Sequence, residues 1–363
     1  MNGLLVFPLI SGNKKNIGDY IQSLAQEQFW EKIDCFVERE SLSSFTSNEM
    51  VNLIMQGWFM WNPDAFPPSK DINPFFISFH LQPLIADKLL NERSVAYLKN
   101  YEPIGCRDYQ TLKKLESKGI ACYFSNCLTL TLGLKYKSSS KNDDIFIVDP
   151  HVEIGGSKQF HILRRILNIV ITIGLHYNKI RKLKKVFVSH QYNPNTNIKN
   201  RLYSFLILVS YYYTYSQIFD DDLLLNAKYV THIIDDNGSL SEHQKLNIAR
   251  DLIKKYASSK LIVTSRIHAS LPALALETPT IFITSSNLDR GSTGAPGGRF
   301  DGIIDLMNTF IITAKGIIPG PNNKIDNQQG KIGRETKVVN SNKYKLYKED
   351  LMNRVKAFVE KCK

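Results

Sequence analysis

The chain has 363 residues, 43% hydrophobic and 22% charged, with a formal net charge of +12. That is an ordinary globular composition, longer than one hydrophobic core usually serves and too apolar for a disordered chain, so two domains are expected. Five cysteines without a Cys-x-x-Cys pair or a Cys/His cluster exclude a zinc-binding pattern and favour a reducing compartment over a disulfide framework.

The opening MNGLLVFPLI carries no basic residue before its apolar run, so it reads as a buried strand over residues 4–10 and not as a signal peptide. A cytoplasmic protein is expected. NKKNIGD then forms a loop before a helix over 20–29, which puts Gly18 and Asp19 at a strand-to-helix turn. Gly18 supplies a permissive backbone, and Asp19 either caps the helix or turns its carboxylate toward a cleft. Strand-like runs recur at 53–58, 75–79, 104–107, 121–124 and 145–148. Arg107 follows one of these strands, so Asp108 caps the next helix while Arg107 reaches a cleft or forms a surface salt bridge.

The polar, serine-rich stretch 135–144 marks a boundary, giving expected domains of 1–140 and 141–313. Beyond it, strands are predicted at 185–189, 229–233, 261–264 and 280–284, with a helix at 269–277. His190 ends the first of these strands, at a carboxyl edge where ligands bind. His232 and His243 read as loop or helix-cap residues. Three consecutive carboxylates, Asp220 to Asp222, cannot face one way on a regular element, so a solvated turn and helix start are expected there and not a metal site. The segment 315–344, rich in Gly, Asn and Lys, reads as a long exposed connection before a closing helix at 345–361, making 314–363 a separate tail.

Charge is unevenly placed. Residues 154–219 hold ten lysines and arginines and no aspartate or glutamate. A solvated basic face, attraction of anionic substrates, and adhesion to an anionic membrane, at about 1 kcal/mol per basic residue, all fit such a region. Tyrosines and leucines after Leu202 favour the membrane. Nucleic acid is not expected as a partner, since no binding motif accompanies the charge. No window reaches the roughly 18 apolar residues of a spanning helix.

The most informative stretch is LIVTSRIHASLPALALETPTIFI at 261–283, which reads as strand, helix and strand. The loop leaving its first strand opens at the carboxyl edge of a parallel sheet, beside a helix amino end that favours anions. Ser265, Arg266 and His268 sit there. Arg266 either pairs with an acidic neighbour or clamps a phosphate or carboxylate; His268 either caps the helix or moves a proton near neutral pH. Further on, Arg290 and Arg299 flank GSTGAPGG, which lacks the spacing of a Walker or Rossmann fingerprint and reads as a lid carrying cations.

TSRIHASLPALALETPTIFI resembles the signature of the polysaccharide pyruvyl transferase family. NIGDYIQ at 16–22, RDYQTLKKL at 107–115 and RFDGI at 299–303 resemble three further family segments, in the same order. The resemblance implies an α/β protein with two Rossmann-like domains facing a central cleft, glycosyltransferase-B-like, whose closing helix packs back on the first domain. It implies an enzyme moving the enolpyruvyl group of phosphoenolpyruvate onto two sugar hydroxyls, making a pyruvate ketal in surface or capsular polysaccharide. Phosphoenolpyruvate is then a co-substrate, and no cofactor or metal is expected. The acceptor is free, nucleotide-linked or lipid-linked, and peripheral contact of 154–219 with an anionic membrane would put the protein at the inner face of the plasma membrane.

Carried over to this chain, His268 and Asp19 are the expected catalytic residues. Arg266, Ser265, Arg107 and His190 bind the donor's phosphate and carboxylate, with Arg290 and Arg299 as lid cations. Asn16, Gly18, Asp19 and Gln22 face the acceptor. One departure stands out: the family often has an arginine on the opening strand of the second domain, where this chain has IFIVDPH. His151, Lys158, His190 or Arg107 then substitutes for it, or the donor differs. The alternatives are a glycosyltransferase using a nucleotide sugar and a non-catalytic, membrane-attached scaffold of polysaccharide assembly.

Overall fold

A computed structural model describes residues 1–7, 14–153, 159–194, 198–285, 300–313, 316–325 and 330–363, with side chains described from 167 onward in the helix that begins at 159. The end of the expected first strand, Lys158, Arg290 and Arg299 lie outside these residues.

The first half runs β1 (Asn2–Val6), β2 (Lys14–Asn16), α1 (Ile17–Glu27), β3 (Cys35–Glu38), β4 (Val51–Phe59), β5 (Ile72–Leu81), α2 (Ala86–Leu89), α3 (Glu92–Lys99), β6 (Ile104–Cys106), α4 (Tyr109–Glu116), β7 (Cys122–Phe124) and α5 (Gly133–Tyr136). Six of its strands form a parallel sheet in the order β3-β1-β4-β5-β6-β7. The second half runs β8 (Ile145–Val148), α6 (Gln159–Leu183), α7 (Ile198–Tyr215), α8 (Asp221–Asn226), β9 (Lys228–Val230), β10 (Ile233–Asp235), α9 (Glu242–Ser258), β11 (Leu261–Thr264), α10 (Ile267–Ala275), β12 (Thr280–Ser285), β13 (Asn308–Thr313), β14 (Gly316–Pro319) and α11 (Tyr344–Lys361). Its sheet has the order β14-β13-β12-β11-β8-β9, parallel except for β14. The central strands IFIV, LIVT and TIFITS are buried at every position, the composition a sheet covered on both faces demands. This is a mixed α/β architecture built on parallel sheets.

Part of the space between the sheets is filled. One apolar core joins Leu4, Ile21 and Leu24 from the first half to Leu246, Ile253, Leu271 and Phe282 from the second. The closing helix α11 joins it: Phe358 stacks on Phe75 at 4.9 Å and meets Trp30 edge-on at 6.1 Å, while Arg354 lies 4.0 Å over the Tyr123 ring. A second seam is made by backbone. β2 pairs antiparallel with β10 across the two halves, and the Ile17 N–H continues the link to the His232 carbonyl at 2.8 Å.

Three expectations change. Residues 185–189 form a turn and loop and not a strand: among the described residues no strand pairs with them, and the sheet edge is taken by β9. The expected strand at 229–233 splits into β9 and β10, because the chain leaves the second sheet to join the ribbon with β2. The connection 315–344 is not all exposed. β14 adds an antiparallel edge strand, Ile332 and Val338 are buried, and the Asn340 side chain accepts from the Thr280 N–H and donates to the Thr278 carbonyl.

Candidate functional site at the amino end of α10

Both halves meet where α10 begins. After β11, Thr264 Oγ1 donates to the Val148 carbonyl at 3.0 Å and accepts the Arg266 N–H at 2.9 Å, which turns the chain at the carboxyl edge of the sheet. Arg266 stands as the extended residue before α10 with no side-chain cap, so the helix's first N–H groups keep their capacity for an anion.

From the other half, α1 points its own amino end at the same place. Asn16 Oδ1 accepts the Gly18 N–H at 3.0 Å and so caps α1. The cap expected of Asp19 is therefore supplied by Asn16, and the Asp19 carboxylate is turned instead to His268, with Oδ1 3.9 Å from Nδ1, and to Gln22 Nε2 at 3.3 Å. Gly18 is required by closeness: a Cβ there would stand 2.9 Å from His232 Nδ1 and 3.4 Å from His268 Cβ. Two helix amino ends thus share one spot, and their dipoles add.

The organising group is Asp149, directly after β8 in the IFIVDPH run. It has left-handed backbone at φ 42°, and its carboxylate is wholly buried. Oδ1 accepts the His190 N–H at 2.8 Å; Oδ2 accepts the His232 N–H at 2.9 Å and Arg266 Nε at 3.0 Å. His190 Nδ1 lies 3.4 Å from the same carboxylate. Burial opposes ionisation, but the hydrogen bond from His190 and the charge of Arg266 hold the Asp149 carboxyl far below the ordinary range. A fixed anion therefore aims Arg266, whose Nη2 is buried without a hydrogen-bond partner among the described residues. An unspent guanidinium donor on a partly exposed side chain is suited to a bound oxyanion.

Three titratable groups complete the surroundings. His232 Nε2 meets Tyr256 Oη at 2.8 Å, and burial lowers its pKa to about 4, so it is neutral at pH 7. Asp19 is shifted the other way: burial raises its carboxyl, against the pull of Arg39, Lys15 and Arg266. Lys15 is itself buried, donates to the Phe7 carbonyl, and is lowered to about 8 by burial and by Lys245.

Of the residues expected from sequence, Asn16, Gly18, Asp19, Gln22, His190, Arg266 and His268 come together. Ser265 serves the backbone, its Oγ accepting the His151 N–H at 3.0 Å. Arg107 is buried beside Asp108, with Nε 3.8 Å from Oδ2 and without a hydrogen-bond partner among the described residues, while Asp108 is occupied by His80 Nδ1 and the Thr111 N–H. At 3% exposed, its side chain has little surface with which to reach the donor expected of it. Asp149, His232, Lys15 and Arg39 were missed. Asp149 and His232 obey the rule that singled out Arg266, since each lies just past the carboxyl end of a strand of the second sheet. Among the described residues no group of three His, Cys, Asp or Glu side chains is disposed to hold a metal ion.

These features define an α/β protein whose parallel sheets present an arginine, a histidine and two helix amino ends at one edge. A family model described as polysaccharide pyruvyl transferase matches residues 16–287, from the cap of α1 through the Arg266 and His268 turn and past β12, and the chain belongs to that family. No curated protein and no solved structure matches the chain.

Proposed function

We propose that the protein transfers the enolpyruvyl unit of phosphoenolpyruvate to two hydroxyls of a sugar, forming a cyclic pyruvate ketal for a surface or capsular polysaccharide and releasing phosphate. The observation that carries this reading is the unspent Arg266 Nη2 donor, held by Asp149 beside the uncapped start of α10, with His268 facing Asp19. In this scheme the second half, 141–313, holds the donor and the first, 1–140, the acceptor, in a glycosyltransferase-B-like arrangement. Arg266 and the α10 N–H groups take the donor's negative charge, and His190, on the other side of Asp149, substitutes for the arginine the family pattern has on the opening strand.

The chemistry requires a proton on the donor's methylene carbon and the loss of one from each hydroxyl. His268 as the imidazolium delivers a proton to the methylene, making it a methyl, while the first hydroxyl oxygen bonds to the adjacent carbon and gives its proton to Asp19. The bond from that carbon to the phosphate oxygen then breaks. The second hydroxyl closes the ketal, and its proton leaves with phosphate. A carboxyl raised above its ordinary range by burial is a better proton acceptor than a solvated one.

The test is phosphate release from phosphoenolpyruvate with a panel of free, nucleotide-linked and lipid-linked sugars. Release with at least one acceptor, lost in Arg266→Ala, is expected. No release with any acceptor, together with thermal stabilisation by a uridine or guanosine nucleotide, would overturn it in favour of a nucleotide-sugar glycosyltransferase.

A further inference from the structure

The acid-free region folds into α6 and α7, and its exposed side is apolar. Leu167, Val170, Ile171 and Leu175 of α6 are 58, 60, 47 and 73% exposed. Their spacing, with exposed Gly174 between them, puts them on one face of the helix over more than two turns. A solvent-facing helical stripe is ordinarily polar. At its own start, α7 exposes Ile198 and Leu202, 83 and 62% open to solvent. None of these six is needed for folding, since the core beneath is made by others such as Ile180, Leu183, Ile207 and Tyr211.

Cations border the apolar stripe. Past the break in α6 at His176, Arg181, Lys182, Lys184 and Lys185 are exposed, as are Lys199 and Arg201 at the start of α7. No aspartate or glutamate occurs anywhere in 154–219. Among the described residues no helix is long and apolar enough to cross a membrane.

We propose that this α6–α7 face docks on the surface of an anionic lipid bilayer, with the apolar stripe entering the headgroup boundary and the basic residues meeting lipid phosphates. Charge complementarity selects this occupant over a second copy of the chain, which would bring cations against cations with no acid in the segment to receive them. The proposal is independent of the chemistry at His268.

The test is co-sedimentation of the full chain with vesicles of phosphatidylglycerol and phosphatidylcholine, and with phosphatidylcholine alone. Binding to the anionic vesicles only, weakened by salt, is expected. It falls by at least about tenfold in Lys182→Glu/Lys184→Glu, since one cation near the surface is worth about fivefold. A similar loss is expected in Leu167→Glu/Leu175→Glu, with the thermal midpoint of both variants unchanged. Equal binding to neutral vesicles, or undiminished binding by both variants, overturns the proposal. So does a concentration-dependent dimer that Leu167→Glu/Leu175→Glu abolishes in a chain that ignores vesicles.

Discussion

The molecule contains two clusters of arginine, histidine and aspartate at the carboxyl edges of its sheets, and they have opposite characters. Around Asp108, the acid spends its oxygens on His80 Nδ1, on the Thr111 N–H at 2.9 Å and on the Thr111 hydroxyl at 3.0 Å, and Arg107 beside it is 3% exposed. Around Asp149, the acid is equally buried, but Arg266 keeps 27% and His190 30% of their side-chain surface open. Similar residue types give a closed structural knot in one place and an open site in the other. The difference lies in how the chain continues beyond the strand: Asp108 caps its own helix, whereas Asp149 binds the backbone N–H groups of His190 and His232 and the Arg266 guanidinium, gathering three separate loops.

That contrast is most exposed to test at His268. His268→Ala is expected to keep the fold and lose two or more orders of magnitude in transfer, within the roughly 10² to 10⁴ worth of a positioned acid or base, as read by phosphate release beside circular dichroism. Near-normal turnover would remove the assignment. Asp108→Ala is expected to do the reverse: a loss of about 3–5 kcal/mol of stability in urea titration, from an uncompensated buried pair, with the remaining folded protein still active. Loss of transfer without loss of stability would place the Asp108 cluster in the site and erase the distinction.

A pH titration separates the clusters further. His232 has a folded pKa of about 4 against an unfolded value near 6.5, so its neutral form stabilises the fold fully above pH 6.5. As pH falls from 6.5 toward 4 the unfolded chain takes up the proton first, and stability drops by on the order of 3 kcal/mol. Asp108 is held below its ordinary range despite burial, chiefly by His80, so its contribution is present above pH 4 and fades only at lower pH. His232→Asn should therefore flatten the upper part of the curve alone; an unchanged slope would show that another group titrates there. The smallest effect expected is from Gly18→Ala, about tenfold in turnover with 1–3 kcal/mol of stability, since a methyl 2.9 Å from His232 Nδ1 forces the two helix ends apart. Wild-type kinetics in that variant would mean the contact is not needed.

Periodicity and β-branched runs made the parallel sheets legible, because strands buried on both faces are apolar throughout. The Arg266 and His268 turn was legible for the same reason: a strand, a polar loop and a helix stood in one continuous stretch. The Asp149 cluster was not, because its partners are 41, 83 and 117 residues away in sequence. The mistaken strand at 185–189 has a related cause. VFV is an apolar, β-branched run as a strand is, yet a strand exists only where a neighbour offers its hydrogen bonds. Arg107 shows the limit of motif placement, since its position after a strand says nothing about which way a neighbouring acid will pull it.

The ribbon of β2 and β10 has a mechanical consequence. Its three paired positions, with the Ile17 link and the shared apolar core behind them, clamp the two sheets at the very edge where the site lies. A wide hinge rotation of one sheet away from the other would tear that ladder and wet the core. Arg266, His268 and Asp19 are therefore held in register by the clamp itself and do not depend on closure of one half onto the other.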